Sequence, residues 1–147
     1  MSGVLLRSID TLKLGTLLLL VGLAGCGSAT GPGMTAVSGT VTLNGEPVGP
    51  GTVAFIPSDG TGNPATGNVD ESGKFQMSVH NPGDGVPPGT YKVTVTIEKT
   101  PAYGDEKGNL FPPTYLSPEK YMNPETSGFA ITVEKNKPAT VTFDMKP

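Results

Sequence analysis

Two side chains in this 147-residue chain could take part in covalent or metal chemistry by themselves: Cys26, its one cysteine, and His80, its one histidine. A thiol is the strongest soft nucleophile a protein carries, so Cys26 is a site for alkylation or acylation. His80 sits in Ser78-Val79-His80-Asn81-Pro82 with Asp84 just beyond, which supplies the residue types of a nucleophile, a base and an orienting carboxylate. No nucleophile elbow or comparable frame positions them, and a strand running into a turn makes His80 a solvated histidine. One histidine and one cysteine also fall short of the four ligands of a structural zinc site. Carboxylates are scattered through turns at Asp59, Asp70, Glu71, Asp84, Asp105 and Glu106. Such oxygens suit Ca²⁺, but none keeps the EF-hand spacing, and aspartate serves turns by bonding the backbone two residues on. The residues thus predict no catalytic group, no metal and no cofactor.

The elements around Cys26 say more. Arg7 and Lys13 precede an apolar stretch through Leu14, Leu17, Leu18, Leu19, Leu20 and Val21. It runs for about eleven residues, whereas a helix crossing a bilayer takes about 18 or more. A cationic start, a short apolar middle and small residues at the cut make residues 1–25 a secretory signal helix to be removed. Leu23-Ala24-Gly25-Cys26 closely resembles the lipobox of bacterial lipoproteins. That resemblance implies a diacylglyceryl group on the Cys26 thiol, cleavage between Gly25 and Cys26, and acylation of the new amino group. At roughly 0.8 kcal/mol per buried methylene, two or three chains would hold the protein to a membrane almost permanently. Residue 27 is Gly and not the Asp that resembles an inner-membrane retention signal, so the outer membrane is expected, with the body in the periplasm or facing outward.

Residues 26–35 are small and polar with one proline, which suits a flexible tether. Residues 36–147 are enough for one domain. With one cysteine an exported domain must rest on its core and not on disulfides. A net charge of −3 with no basic block excludes a nucleic-acid surface. Twenty-one glycines and fifteen prolines, with no tryptophan, point to short elements joined by tight turns. Alternation of apolar and polar residues places strands at 37–43, 52–56, 65–69, 75–79, 91–97, 129–133 and 141–145. Asn44-Gly45 and Asp70-Glu71-Ser72-Gly73 supply turns, and Asn136 sits between the last two strands. Seven such strands predict an all-β, antiparallel Greek-key sandwich, with a small closed barrel as the alternative. Its core is expected from Val41, Leu43, Val53, Phe55, Phe75, Val93, Val95, Ile131, Val133, Val141 and Phe143.

Val37-Ser38-Gly39-Thr40-Val41, Asn44-Gly45-Glu46-Pro47-Val48, Gly51-Thr52-Val53-Ala54-Phe55, Asp70-Glu71-Ser72-Gly73-Lys74-Phe75 and Pro87-Pro88-Gly89-Thr90-Tyr91-Lys92-Val93 resemble, in order, carboxypeptidase regulatory-like domains. The resemblance covers residues 36–98 and implies a transthyretin-like (prealbumin-like) sandwich. The later part, from Lys120-Tyr121 to Lys135-Asn136, looks like the ending of small lipoproteins of the planctomycete type. Members of the family are usually accessory modules, so the resemblance implies a location and an architecture but no catalytic residues. The transthyretin fold also hosts hydrolases of a urate-degradation intermediate that use several histidines and a tyrosine-rich carboxyl end. This chain has one histidine and finishes Phe143-Asp144-Met145-Lys146-Pro147, a departure from that pattern.

The loop at 100–128 is longer than strand geometry explains. It carries Tyr103, Phe111, Tyr115 and Tyr121 among five prolines, and Ser117-Pro118-Glu119-Lys120 has the form of a helix start with Ser117 as N-cap. These aromatics either build a binding surface for an envelope protein or polysaccharide, or fold back to cover an edge of the sandwich; protection of the edge is the favoured reading. The expected function is a lipid-anchored, non-enzymatic structural or interaction module of the cell envelope, and the alternative is a carbohydrate- or peptide-binding lipoprotein working through this loop.

Overall fold

The computed structural model describes residues 30–147; the expected signal, Gly25 and Cys26 lie outside the described residues. Eleven strands follow in order: β1 (Val37–Leu43), β2 (Glu46–Pro47), β3 (Gly51–Pro57), β4 (Ala65–Val69), β5 (Lys74–Gln76), β6 (Gly89–Thr100), β7 (Tyr103–Gly104), β8 (Leu110–Phe111), β9 (Thr114–Tyr115), β10 (Phe129–Val133) and β11 (Ala139–Met145). The one helical element among the described residues is a 3-10 turn at Glu119–Met122. The described residues are all-β, and the places where the sequence alternates carry strands, although the strand expected at 75–79 stops at Gln76 and leaves Ser78 an isolated bridge to Thr66.

Seven strands pair side by side in the order β10-β6-β3-β4-β5-β1-β11, with β2 on β1 and β9 on β6. Local turn chemistry sets the first pairings. Asn44 and Gly45 both have positive φ, 55° and 85°, and join β1 to β2 through a two-residue turn. Pairing is antiparallel except in one place. β11 runs parallel to β1 from Val37↔Ala139 to Leu43↔Met145, where the sequence predicted antiparallel neighbours throughout. Nor do β10 and β11 form a hairpin around Asn136. This register puts Val37, Val41 and Leu43 beside Ala139, Phe143 and Met145, so both apolar sets face one core. The Ala36 carbonyl accepts the Ala139 N–H at 3.0 Å and starts the ladder.

The sheet folds over its apolar face. β3 and β11 are four strands apart in the order, a separation of about 19 Å in a flat sheet, yet Phe55 and Phe143 have ring centroids 6.1 Å apart. Phe129 and Phe143, from the first and last strands, lie at 5.2 Å. Between the layers are Val41, Val53, Phe55, Met77, Val93, Val95, Ile97 and Met145, all fully buried. Leu43, Ile131 and Val141, expected inside, are half-buried residues packed against this core. Gly39 is small of necessity, because a Cβ there would strike the Val141 carbonyl and come within 2.7 Å of the Phe75 ring.

Candidate functional site

The long loop resolves into an arm and a cover. The arm is the hairpin β7–β8, where Tyr103 pairs with Phe111 and Gly104 with Leu110. Its turn is Asp105-Glu106-Lys107-Gly108-Asn109. The Asp105 carboxylate accepts the N–H groups of Lys107 at 2.9 Å and Asn109 at 2.8 Å and the Asn109 side-chain amide at 2.7 Å. These bonds, the Asn109 side chain first, hold its pKa below the usual carboxylate value. Asp70-Glu71-Ser72-Gly73-Lys74 makes the same turn: Asp70 accepts from the Ser72 and Lys74 N–H groups at 2.8 and 3.0 Å, and Gly73 and Gly108 have φ of 79° and 82°. The spacing Asp-Glu-x-Gly-x, used once to place a hairpin, was the signal for the second.

The arm holds its apolar side chains in water. Tyr103 and Phe111 stack at 4.7 Å with planes 12° apart, and they remain 53% and 40% exposed while Leu110 is 88% exposed. With Ala102, Gly104 and Pro112 they line an open, largely apolar depression of about 410 Å³. Its position follows from β6. Thr35 bridges Val86 just before β6 begins, and the arm departs just after β6 ends at Thr100. Twelve residues of strand put the arm roughly 35 Å from where the N-terminal segment joins the body.

The rest of the loop is the cover. β9 continues along the edge of β6 that β10 occupies lower down, with Glu98 paired to Tyr115 and Thr100 to Thr114. Leu116 N–H then donates to the Ile97 carbonyl at 2.8 Å. Ser117 Oγ accepts the buried Ile97 N–H at 2.6 Å, so Ser117 closes the sheet edge where an N-cap was expected; the 3-10 turn has no side-chain cap. Tyr121 is 6% exposed and stacks on Phe129 at 5.0 Å, and its hydroxyl oxygen accepts the Lys146 N–H at 2.9 Å. It is a core residue and leaves the expected binding surface. Tyr115, 42% exposed, stays on the surface beside the arm.

Asp84 and Ser78, set near His80 in the sequence, both bond to the main chain. Its carboxylate accepts the main-chain N–H groups of Val79 at 2.8 Å, His80 at 3.0 Å and Asn81 at 2.9 Å, and these bonds, that from Asn81 foremost, lower its pKa. Ser78 Oγ accepts the Gly83 N–H at 2.9 Å. Both groups brace the turn, and the carboxylate holds the histidine backbone where a triad needs it on the imidazole. Among the described residues no cluster of His, Cys, Asp and Glu could hold a metal, and no helix is long and apolar enough to cross a membrane.

No protein-family model and no curated protein matches this chain. Among solved structures, BcpA, the major pilin subunit of Bacillus cereus, is similar at 18% identity over 78% of this chain and 30% of that one, with a TM-score of 0.43. A 9R-lipoxygenase from Cyanothece PCC8801 is similar at 13% identity over 78% of this chain and 16% of that one, with a TM-score of 0.37. The chain spans less than a third of either protein, and likenesses this loose transfer no activity.

Proposed function

We propose that this chain is a lipid-anchored, non-enzymatic β-sandwich module of the bacterial cell envelope that contacts a protein partner through its aromatic arm. In this reading Cys26 carries the lipid and the body is a transthyretin-like, Greek-key sandwich, as the resemblance to carboxypeptidase regulatory-like lipoproteins implies. Support for two layers comes from Phe55 and Phe143 meeting across the fold.

One observation carries the functional reading: Tyr103, Leu110 and Phe111 are kept exposed on a hairpin at the pole away from the N-terminal segment. A two-stranded hairpin is marginal alone, and its exposed apolar faces gain most from burial against another apolar surface. The depression they line offers few hydrogen-bonding groups, which favours a protein partner over a polysaccharide at this place.

The test has two arms. Mass spectrometry should find a mature chain beginning with an acylated Cys26, and Cys26→Ser should leave the protein unanchored. A photo-crosslinking residue at Leu110 should give a discrete adduct in intact cells that disappears when Tyr103 and Phe111 are both replaced by Ala, while the same probe at Glu71 gives none. An unmodified Cys26 refutes the anchor; an adduct indifferent to the aromatic pair refutes the arm.

A further inference from the structure

A second surface, on the outer face of β4 and β5, is built from hydrogen-bonding side chains. Val69↔Phe75 and the bridge Thr66↔Ser78 lie in one antiparallel register, which sets Asn68 opposite Gln76. Gln76 in turn pairs with Ser38 of β1. Thr66 and Asn68 point outward because Ala65, Gly67 and Val69 between them are buried. The result is a row, Asn68, Gln76 and Ser38, crossing three strands at steps of about 5 Å, with Thr66 and Ser78 alongside it.

This row floors two adjoining depressions. One, of about 360 Å³, runs from Thr66 and Asn68 past Gln76 and Ser78 to His80 and Asn81. The other, of about 390 Å³, shares Asn68 and Gln76 and continues to Ser38, Asp70 and Lys74. Sharing two amide side chains makes them one elongated groove. One end wall is the turn His80-Asn81-Pro82-Gly83, fixed by the buried Asp84 through three main-chain N–H groups and by the bond from Gly83 to Ser78. The wall is therefore preorganised, which lowers the ordering cost of binding.

The chemistry selects the ligand class. The depression that reaches His80 is lined by amides, hydroxyls and one imidazole, with no carboxylate and no Lys or Arg. Lys74 is the one cation of the whole groove and stands beside Asp70, which disfavours a polyanion. An extended peptide cannot add as a strand, because β4 lies between β3 and β5, and β5 between β4 and β1. The apolar residues of the lining are the half-buried Val79, Pro82 at the end wall and Phe75, whose ring is buried against Phe143, so peptide side chains find few anchors. Many neutral donors and acceptors in a row, with a pyrrolidine and an imidazole for the C–H side of a ring, match a chain of hydroxyl groups. We infer that this groove binds a neutral, hydroxyl-rich saccharide along the row Asn68, Gln76 and Ser38. The inference is independent of the aromatic arm.

The test is affinity electrophoresis of the full-length chain in a polyoxyethylene detergent, which avoids sugar-headed detergents, through native gels containing dextran, mannan, xylan or hydroxyethyl cellulose. At least one glycan should retard the chain. Asn68→Ala with Gln76→Ala should weaken the derived affinity about tenfold or more, while Phe111→Ala leaves it unchanged. Titration of the isotope-labelled wild type with a trisaccharide of the retarding glycan should move the amide resonances of Thr66, Asn68, Gln76 and Ser78, a readout that needs no variant. Absence of retardation by all four glycans, retardation that the double variant retains, or resonance shifts confined to the arm would each overturn the inference.

Discussion

Tyr121 and Tyr103 sit eighteen residues apart in one proline-rich loop, and truncating each should give opposite answers. The Tyr121 ring is 6% exposed and lies at 17° to Phe129. Removing a buried aromatic ring costs about 3–5 kcal/mol, part of it lost transfer energy and part the cavity left behind. The Lys146 N–H that loses its acceptor belongs to an exposed residue, so water replaces the hydroxyl and adds little. Tyr121→Ala should therefore destabilise by about 3–4 kcal/mol, and Tyr121→Phe, which keeps the ring, by about 1 kcal/mol.

Tyr103 is 53% exposed and loses mainly its stack on Phe111, so Tyr103→Ala should cost about 1 kcal/mol or less. Urea denaturation of the three variants reads these values, and for a body of this size Tyr121→Ala should lower Tm by roughly 12–16 °C. If Tyr103→Ala proved as costly as Tyr121→Ala, the arm would be part of the core. The division of this loop into an exposed arm and a buried cover would then be wrong.

Two further outcomes follow from the hydrogen bonds at the sheet ends. Ser117→Ala leaves the buried Ile97 N–H without its 2.6 Å acceptor and should cost about 1–3 kcal/mol by denaturant titration; a neutral result would mean that the β6 edge reaches water there. Asp144 is held by Lys146 Nζ at 2.6 Å, the Gly45 N–H at 2.8 Å and the Thr42 hydroxyl at 2.8 Å, which together, Lys146 foremost, lower its pKa from 3.8 to about 2. A depressed folded pKa favours the charged carboxylate, so its contribution is complete above the unfolded value of 3.8 and vanishes as pH falls through about 2. The stability gap between wild type and Asp144→Ala should narrow across that window, and a gap that stays constant down to pH 2 would show that the carboxylate charge plays no part.

Local chemistry was legible in the sequence and long-range pairing was not. Alternation in Tyr91, Val93, Val95 and Ile97, and the positive-φ pair Asn44-Gly45, announce β6 and the first turn without any knowledge of neighbours. Nothing local tells β11 to leave β10 and lie parallel to β1, because that choice depends on the match of two apolar sets about a hundred residues apart. Aromatic residues in a loop look alike for the same reason. Ser117 and the 3-10 turn that follows carry Tyr121 under Phe129, whereas the Asp105 turn carries Tyr103 and Phe111 outward. The second of these was readable, since Asp105-Glu106-Lys107-Gly108-Asn109 repeats the spacing of Asp70-Glu71-Ser72-Gly73-Lys74. The polar groove marks the opposite limit. Thr66, Asn68, Gln76 and Ser78 read along the chain as the wet side of two strands, and only the register that sets Asn68 against Gln76 and Gln76 against Ser38 turns that wet side into a row with a direction. A site made of pairing is absent from the sequence until the pairing is known: His80, singled out for its own chemistry, stands at the end wall of the groove, and nothing local sets Asn68 and Gln76 beside it.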